Sequence, residues 1–107
     1  MSSSFGEMGN LLKQAQKMQR AMDDAREELR AIRIEGTAGG GTVKVEVTGD
    51  GRVEKVELTD EVVASGDRTM IEDLLLAALR DGLSKASRTS EERLSRVTGG
   101  LNLPGLS

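Results

Sequence analysis

Eight apolar residues between Met8 and Ile32 recur at spacings of 3, 4, 3, 4, 3, 4 and 3: Met8, Leu11, Ala15, Met18, Met22, Ala25, Leu29 and Ile32. That is a 3.5-residue repeat held for about three heptads, the period of a helix whose apolar seam follows a partner. A helix from about Gly6 to Ala31 would be nearly 40 Å long at ~1.5 Å per residue. Ala and Met at five of the eight seam positions call for close approach and soft packing. Two arrangements satisfy such a stripe: a helix laid on a sheet, or a protruding two-helix arm. From Ile32 to Thr59 the period falls to 2. Val43, Val45 and Val47 alternate with Lys44, Glu46 and Thr48. After Gly49-Asp50-Gly51, residues Glu54, Val56 and Leu58 fall on one side and Val53, Lys55 and Glu57 on the other. Clean alternation describes strands with one buried and one wet face, hence antiparallel pairing. Gly49-Asp50-Gly51 supplies the positive-φ residues of a hairpin, and Gly39-Gly40-Gly41 a looser turn before it.

The segment from Asp60 to Asp67 reads as a turn or short helix pinned by Val62 and Val63. A second long helix is expected from about Arg68. Its broad apolar face comprises Met70, Ile71, Leu74, Leu75, Ala78, Leu79, Gly82, Leu83 and Ala86. Beyond Ala86 that face thins to Leu94 and Val97, which suits an arm held against another chain or a frayed end. Gly99-Gly100 ends the helix. Leu101 to Gly105 then reads as a non-helical tail. The expected organisation is one α+β domain over 1–107: a long N-terminal helix at about 6–31, a three-stranded antiparallel meander at about 32–59, a helical region at about 68–98 and a flexible tail at about 99–107.

Composition excludes several chemistries. The 107 residues include one Phe and no Tyr, Trp, His or Cys. There is no imidazole base, thiol nucleophile, zinc finger or disulfide scaffold. No aromatic platform exists for stacking unpaired bases. The 36% hydrophobic content is almost all aliphatic, and 13 Gly raise the entropy of the unfolded chain, so self-association is expected to supply part of the burial. No apolar run approaches the ~18–20 residues needed to span a bilayer. The start of the chain has no basic and apolar leader pattern, so a cytoplasmic location away from the membrane is expected.

Catalytic motifs are equally scarce. Gly36 to Gly41 lacks a following Gly-Lys-Ser/Thr and leads into a strand, where a phosphate loop leads into a helix. Asp23-Asp24 and Glu27-Glu28 lie among Arg26 and Arg30, and adjacent carboxylates on a helix diverge, so they read as a salt-bridged surface. Nothing orients a Ser-Lys dyad. The expectation is no enzyme, no cofactor and no metal.

Charge placement is more telling than the net −3. Residues 1–33 carry six basic and five acidic side chains, residues 34–79 four and ten, and residues 80–107 five and three. The middle is acidic and both helical ends are mildly basic. Lys13, Lys17 and Arg20 recur on the polar side of the first helix, with no acid between Met8 and Met22. Lys85, Arg88, Arg93 and Arg96 thread the last helix. One reading is a mixed, solvated surface. The other is two cationic surfaces that sum over a dimer to a phosphate-contacting site.

Four stretches resemble the YbaB/EbfC nucleoid-associated proteins, in order and spacing. They are Gly9-Asn10-Leu11-Leu12-Lys13-Gln14-Ala15-Gln16-Lys17-Met18-Gln19, Gly41-Thr42-Val43-Lys44-Val45, Glu72-Asp73-Leu74-Leu75 with Ala77-Ala78, and Gly99-Gly100-Leu101-Asn102-Leu103-Pro104-Gly105. The resemblance spans about Gly9 to Gly105. It implies a homodimer with an α-β-β-β-α core and tweezer-like helical arms that bind double-stranded DNA without catalysis, in nucleoid organisation or gene regulation. It also implies recombination or replication proteins as candidate partners. The family's DNA contacts transfer to Lys13 and Lys17, and less directly to Lys85. Arg20, Arg88, Arg93 and Arg96 follow from charge placement alone. Dimer or arm packing is assigned to Met8, Leu11, Ala15, Met18, Met22, Leu74, Leu75, Ala78 and Gly82. Arg80 and Gly82 stand where the family often has Asn and Ala, and Leu101 where Met is usual. Gly82 costs a helix about 1 kcal/mol against Ala unless close packing needs its bare backbone. The competing reading is a dimeric adaptor whose arms clasp another protein, favoured by the acidic middle and the Met-bearing seam.

Overall fold

The computed structural model describes residues 2–99, with side chains from residue 6 onward. The elements run α1 (Ser2–Ala31), β1 (Arg33–Ala38), β2 (Val43–Thr48), β3 (Val53–Leu58), α2 (Asp60–Ala64) and α3 (Arg68–Gly99). The expected α-β-β-β-α order is observed, with the short α2 inserted before the last helix. The tail expected over 99–107 lies, apart from Gly99, outside the described residues.

The sheet has the order β1-β2-β3, antiparallel throughout. Register places Ile34 opposite Val47, Gly36 opposite Val45 and Ala38 opposite Val43, and Val43 and Val45 opposite Leu58 and Val56. These residues therefore share one face. The turn Gly39–Gly41 joins β1 to β2 with all three φ angles positive, a conformation that glycine adopts without steric strain.

Val53 does not fall where alternation put it. The β2–β3 ladder shifts register between Glu46 and Val47, so that Lys55 pairs with Glu46 but Val53 with Val47. Glu54 is the extra residue of a bulge, and the slip turns Val53 onto the apolar face with Val56 and Leu58. Val63 also departs from expectation. Val62 is 6% exposed and anchors α2, whereas Val63 is 58% exposed. Thr59 caps α2 by accepting the Val62 N–H at 3.3 Å. Asp67 does the same for α3 through the Met70 N–H at 3.1 Å.

Helix α3 lies across β1 and β2. Val43, Val45, Val47, Val62, Ala78 and Ala86 are buried together, with Ile34, Ala38, Ile71, Leu74, Leu75 and Leu79 packed around them. The helix presents Ala78, Gly82 and Ala86 to the sheet, small residues one turn apart that let two backbones approach. A Cβ on Gly36 would stand 2.5 Å from the Gly82 amide nitrogen and 2.7 Å from its Cα. Gly82 itself faces Val45 and Gly36. Its poor helix propensity is thus offset by close packing, and the partner is β1 of the same chain. Ala78 and Gly82 sit in this helix–sheet contact and not on the arm.

At the other end of the sheet, the β2–β3 hairpin closes α1. The Gly49 N–H donates to the carbonyls of Leu29 at 2.9 Å and Ile32 at 3.2 Å. Carbonyls at a helix C-terminus have no partner within the helix, so the hairpin supplies one. A side chain at Gly49 would collide with the Leu29 carbonyl oxygen at 2.8 Å.

Candidate nucleic-acid interface

The molecule extends 77 × 24 × 16 Å, with a radius of gyration of 21.1 Å. A compact chain of this size has a radius of about 13 Å, so part of the fold projects. The α1 seam shows which part. Leu29 and Ala25 are buried, Met22 and Met18 half-buried, and Ala15, Leu11 and Met8 exposed. The described part of α3 accompanies the end of α1 nearest the sheet, where the Arg93 guanidinium meets the Glu28 carboxylate at 2.5 Å. Leu94 and Val97 of α3 are half-buried. The arm is a two-helix structure at its root and carries a bare seam on α1 beyond it.

Lys13, Lys17 and Arg20 are exposed on the side of α1 away from this seam. With Asn10, Gln14 and Asp24 they line an open depression of about 700 Å³ around Ala21. No ion pair to any of the three cations occurs among the described residues. The cations of the strands, by contrast, are paired. On the outer sheet face Arg33 pairs with Glu46 at 3.3 Å, Lys44 with Glu35 at 3.9 Å and Lys55 with Glu57 at 2.7 Å. The last contact raises the Lys55 pKa and lowers that of Glu57, through their hydrogen bond first and their charges second.

The four candidate cations of α3 divide into two pairs. Arg88 and Arg96 are exposed, and neither has an ion-pair partner among the described residues. Lys85 and Arg93 are engaged by the fold. Lys85 Nζ donates to the Glu35 carbonyl at 3.1 Å and to Asp81 Oδ2 at 3.0 Å. Asp81 Oδ2 accepts the Thr37 N–H at 3.0 Å. Together these two side chains satisfy a donor and an acceptor on the free edge of β1, as a fourth strand would. The Thr37 N–H, and after it the Lys85 ammonium, hold the Asp81 carboxyl below its ordinary pKa.

A second surface was not legible as a unit in the sequence. Helix α3 leaves β3 uncovered, so Val53, Val56 and Leu58 are exposed on the apolar face of the sheet. Leu76 and Leu83, seven residues apart on α3, are exposed as well. Their heptad spacing is the available signal, but Leu83 is counted within the broader apolar face of the helix and Leu76 is not. The bulge hid Val53.

The sequence profile of the YbaB/EbfC DNA-binding family matches residues 5–101. The chain belongs to this family. Among its relatives, a nucleoid-associated protein of Clostridium acetobutylicum is 40% identical over 101 residues, covering 94% of this chain and 90% of that one. A nucleoid-associated protein of Acetivibrio thermocellus is 44% identical over 102 residues, with the same coverage. The crystal structure of an uncharacterized Helicobacter pylori protein superposes on this YbaB/EbfC chain with a TM-score of 0.74 at 22% identity. That match covers 89% of this chain and 97% of the other, and supports the α+β fold. Among the described residues, no helix is long and apolar enough to cross a membrane.

Proposed function

We propose that this YbaB/EbfC chain is a non-catalytic, homodimeric, nucleoid-associated protein that binds double-stranded DNA through its backbone phosphates, in the cytoplasm. Nucleoid organisation or gene regulation is the corresponding role. The names of the two relatives support the class of activity. The observation that carries the reading is the run Lys13, Lys17 and Arg20 on the projecting half of α1, without ion-pair partners among the described residues where the sheet cations are paired. Unpaired ammonium and guanidinium groups at one-turn spacing exchange counterions for phosphates without first breaking an internal contact. Arg88 and Arg96 supply a second set. Lys85 and Arg93 are assigned to the fold, because binding a phosphate would require each to give up its carboxylate.

Homodimerisation is supported by the uncovered surface of Val53, Val56, Leu58, Leu76 and Leu83. A second copy would bury these aliphatic side chains, at about 1.5–3 kcal/mol for each one fully covered. Two arms in one particle would then double the cations facing a duplex.

Titration of the purified protein into labelled duplex at ~50 and ~200 mM salt tests the reading. Saturable binding that weakens steeply with salt is expected, with sedimentation giving a dimer. Exposure of Met8, Leu11 and Leu12 on the arm favours a second reading, an adaptor that grips recombination or replication proteins by this stripe. No binding at the lower salt, with such a protein retained by the arm, would favour the adaptor.

A further inference from the structure

We propose that the projecting half of α1 reads bases as well as holding phosphates: Asn10 and Gln14 pair with adenine edges in the major groove while Lys13, Lys17 and Arg20 hold the adjoining backbone. This deepens the DNA-binding reading above and rests on it. Successive helical residues are turned by about 100°, which sets Asn10, Gln14 and Lys17 in one sector, with Lys13 and Arg20 along one flank of it. Lys13, Lys17 and Arg20 point away from the apolar seam, Asn10 stands to one side of it, and Gln14 borders it four residues before Met18. A protein contact on the seam therefore leaves Asn10 and the three cations facing outward. The helix is about 10–12 Å across with its side chains, and the major groove of B-DNA is about 12 Å wide.

Within this sector the two carboxamides are chemically distinct from their neighbours. An amide side chain both donates and accepts, so Asn or Gln can bond adenine N7 and N6 together, which an ammonium cannot do. Gln19, by comparison, already donates to Asp23 at 3.2 Å. No side-chain hydrogen bond of Asn10 or Gln14 occurs among the described residues, and both side chains are exposed. No carboxylate interrupts the sector between them and Asp24, so phosphates can approach the whole stretch. Asn10 and Gln14 are separated by about 6 Å along the helix axis, close to two base-pair steps of about 3.4 Å each. The preferred site therefore contains two adenines with one base pair between them.

Selection from a pool of randomised duplexes, with the full chain and with an Asn10→Ala/Gln14→Ala variant, tests the proposal. Circular dichroism verifies that the variant keeps its helices. The unaltered protein should enrich duplexes carrying the spaced adenines. The variant should bind an unselected duplex with an unchanged salt slope and lose about tenfold in its preference for the enriched sequence. Enrichment of no sequence, or the same preference in the variant, overturns base reading while leaving phosphate binding intact. Absence of binding to any duplex at low salt overturns the DNA-binding reading and this inference with it.

Discussion

The sheet end of the molecule and the projecting half of α1 are built from the same kinds of residue and treat them oppositely. Leu29 is 2% exposed and Leu11 is 64% exposed, although both occupy the same apolar seam. Gly36 is clamped between its own strand and α3, whereas a Cβ on Gly9 would meet nothing within 4 Å. Lys44 is paired with Glu35 on the neighbouring strand and Lys55 with Glu57 on its own, whereas Lys13 and Lys17 have no ion-pair partner among the described residues. One end spends its side chains on folding. The other keeps them available, and association with DNA or protein is what can use them.

The difference can be broken most forcefully at Gly36. Gly36→Ala pushes a methyl group into the backbone of α3, and a loss of about 3 kcal/mol is expected in urea unfolding. Of comparable size is the first of a pair of matched truncations. Leu29→Ala should lose about 2–5 kcal/mol, and Leu11→Ala less than about 0.5 kcal/mol, in the same assay. Equal losses would mean that the outer seam is as well buried in the folded protein as the inner one. Gly9→Ala, on the arm, should raise stability by up to about 1 kcal/mol, because helix propensity improves and nothing is displaced. The smallest effect is expected at Asp81. Its pKa is lowered by folding, so its contribution is present above the ordinary Asp value of about 3.9 and is lost as pH falls through the lower folded value. Asp81→Asn should flatten that acid limb of the stability profile in thermal melts between about pH 5 and 2.

Much of this plan is legible in the sequence. The α1 helix could be read because every seam position from Met8 to Ile32 is apolar, and β2 because it alternates Val with polar residues. The failures have local causes. Val53 changed faces because the bulged Glu54 breaks the alternation between it and Val56, and a bulge leaves no mark in composition. Val62 and Val63 are equivalent by propensity, and only the docking angle of α2 separates them. Gly82 could be recognised as anomalous in a helix, but its partner Gly36 lies 46 residues away in the chain. Lys85 and Arg93 resembled Arg88 and Arg96 as helix-surface cations. Asp81 stands four residues before Lys85 on the same helix, but the Glu35 carbonyl that Lys85 also meets and the Glu28 partner of Arg93 are found only by knowing which strand edge and which helix they pass. For the interface, the sequence could locate cations but not show which of them were already engaged.

That last distinction is the centre of the account, and the salt dependence of DNA binding measures it. The slope of log K against log salt should fall by about 0.9 for each phosphate contact removed. Replacing Lys13, Lys17 and Arg20 together by Ala should therefore flatten the slope by about 2.7 for each arm that engages the duplex, for random and defined duplexes alike. Lys44→Ala with Lys55→Ala, which removes two cations paired on the sheet, should leave the slope where it was. The opposite pattern, an unchanged slope for the arm variant and a flattened one for the sheet variant, would contradict the account.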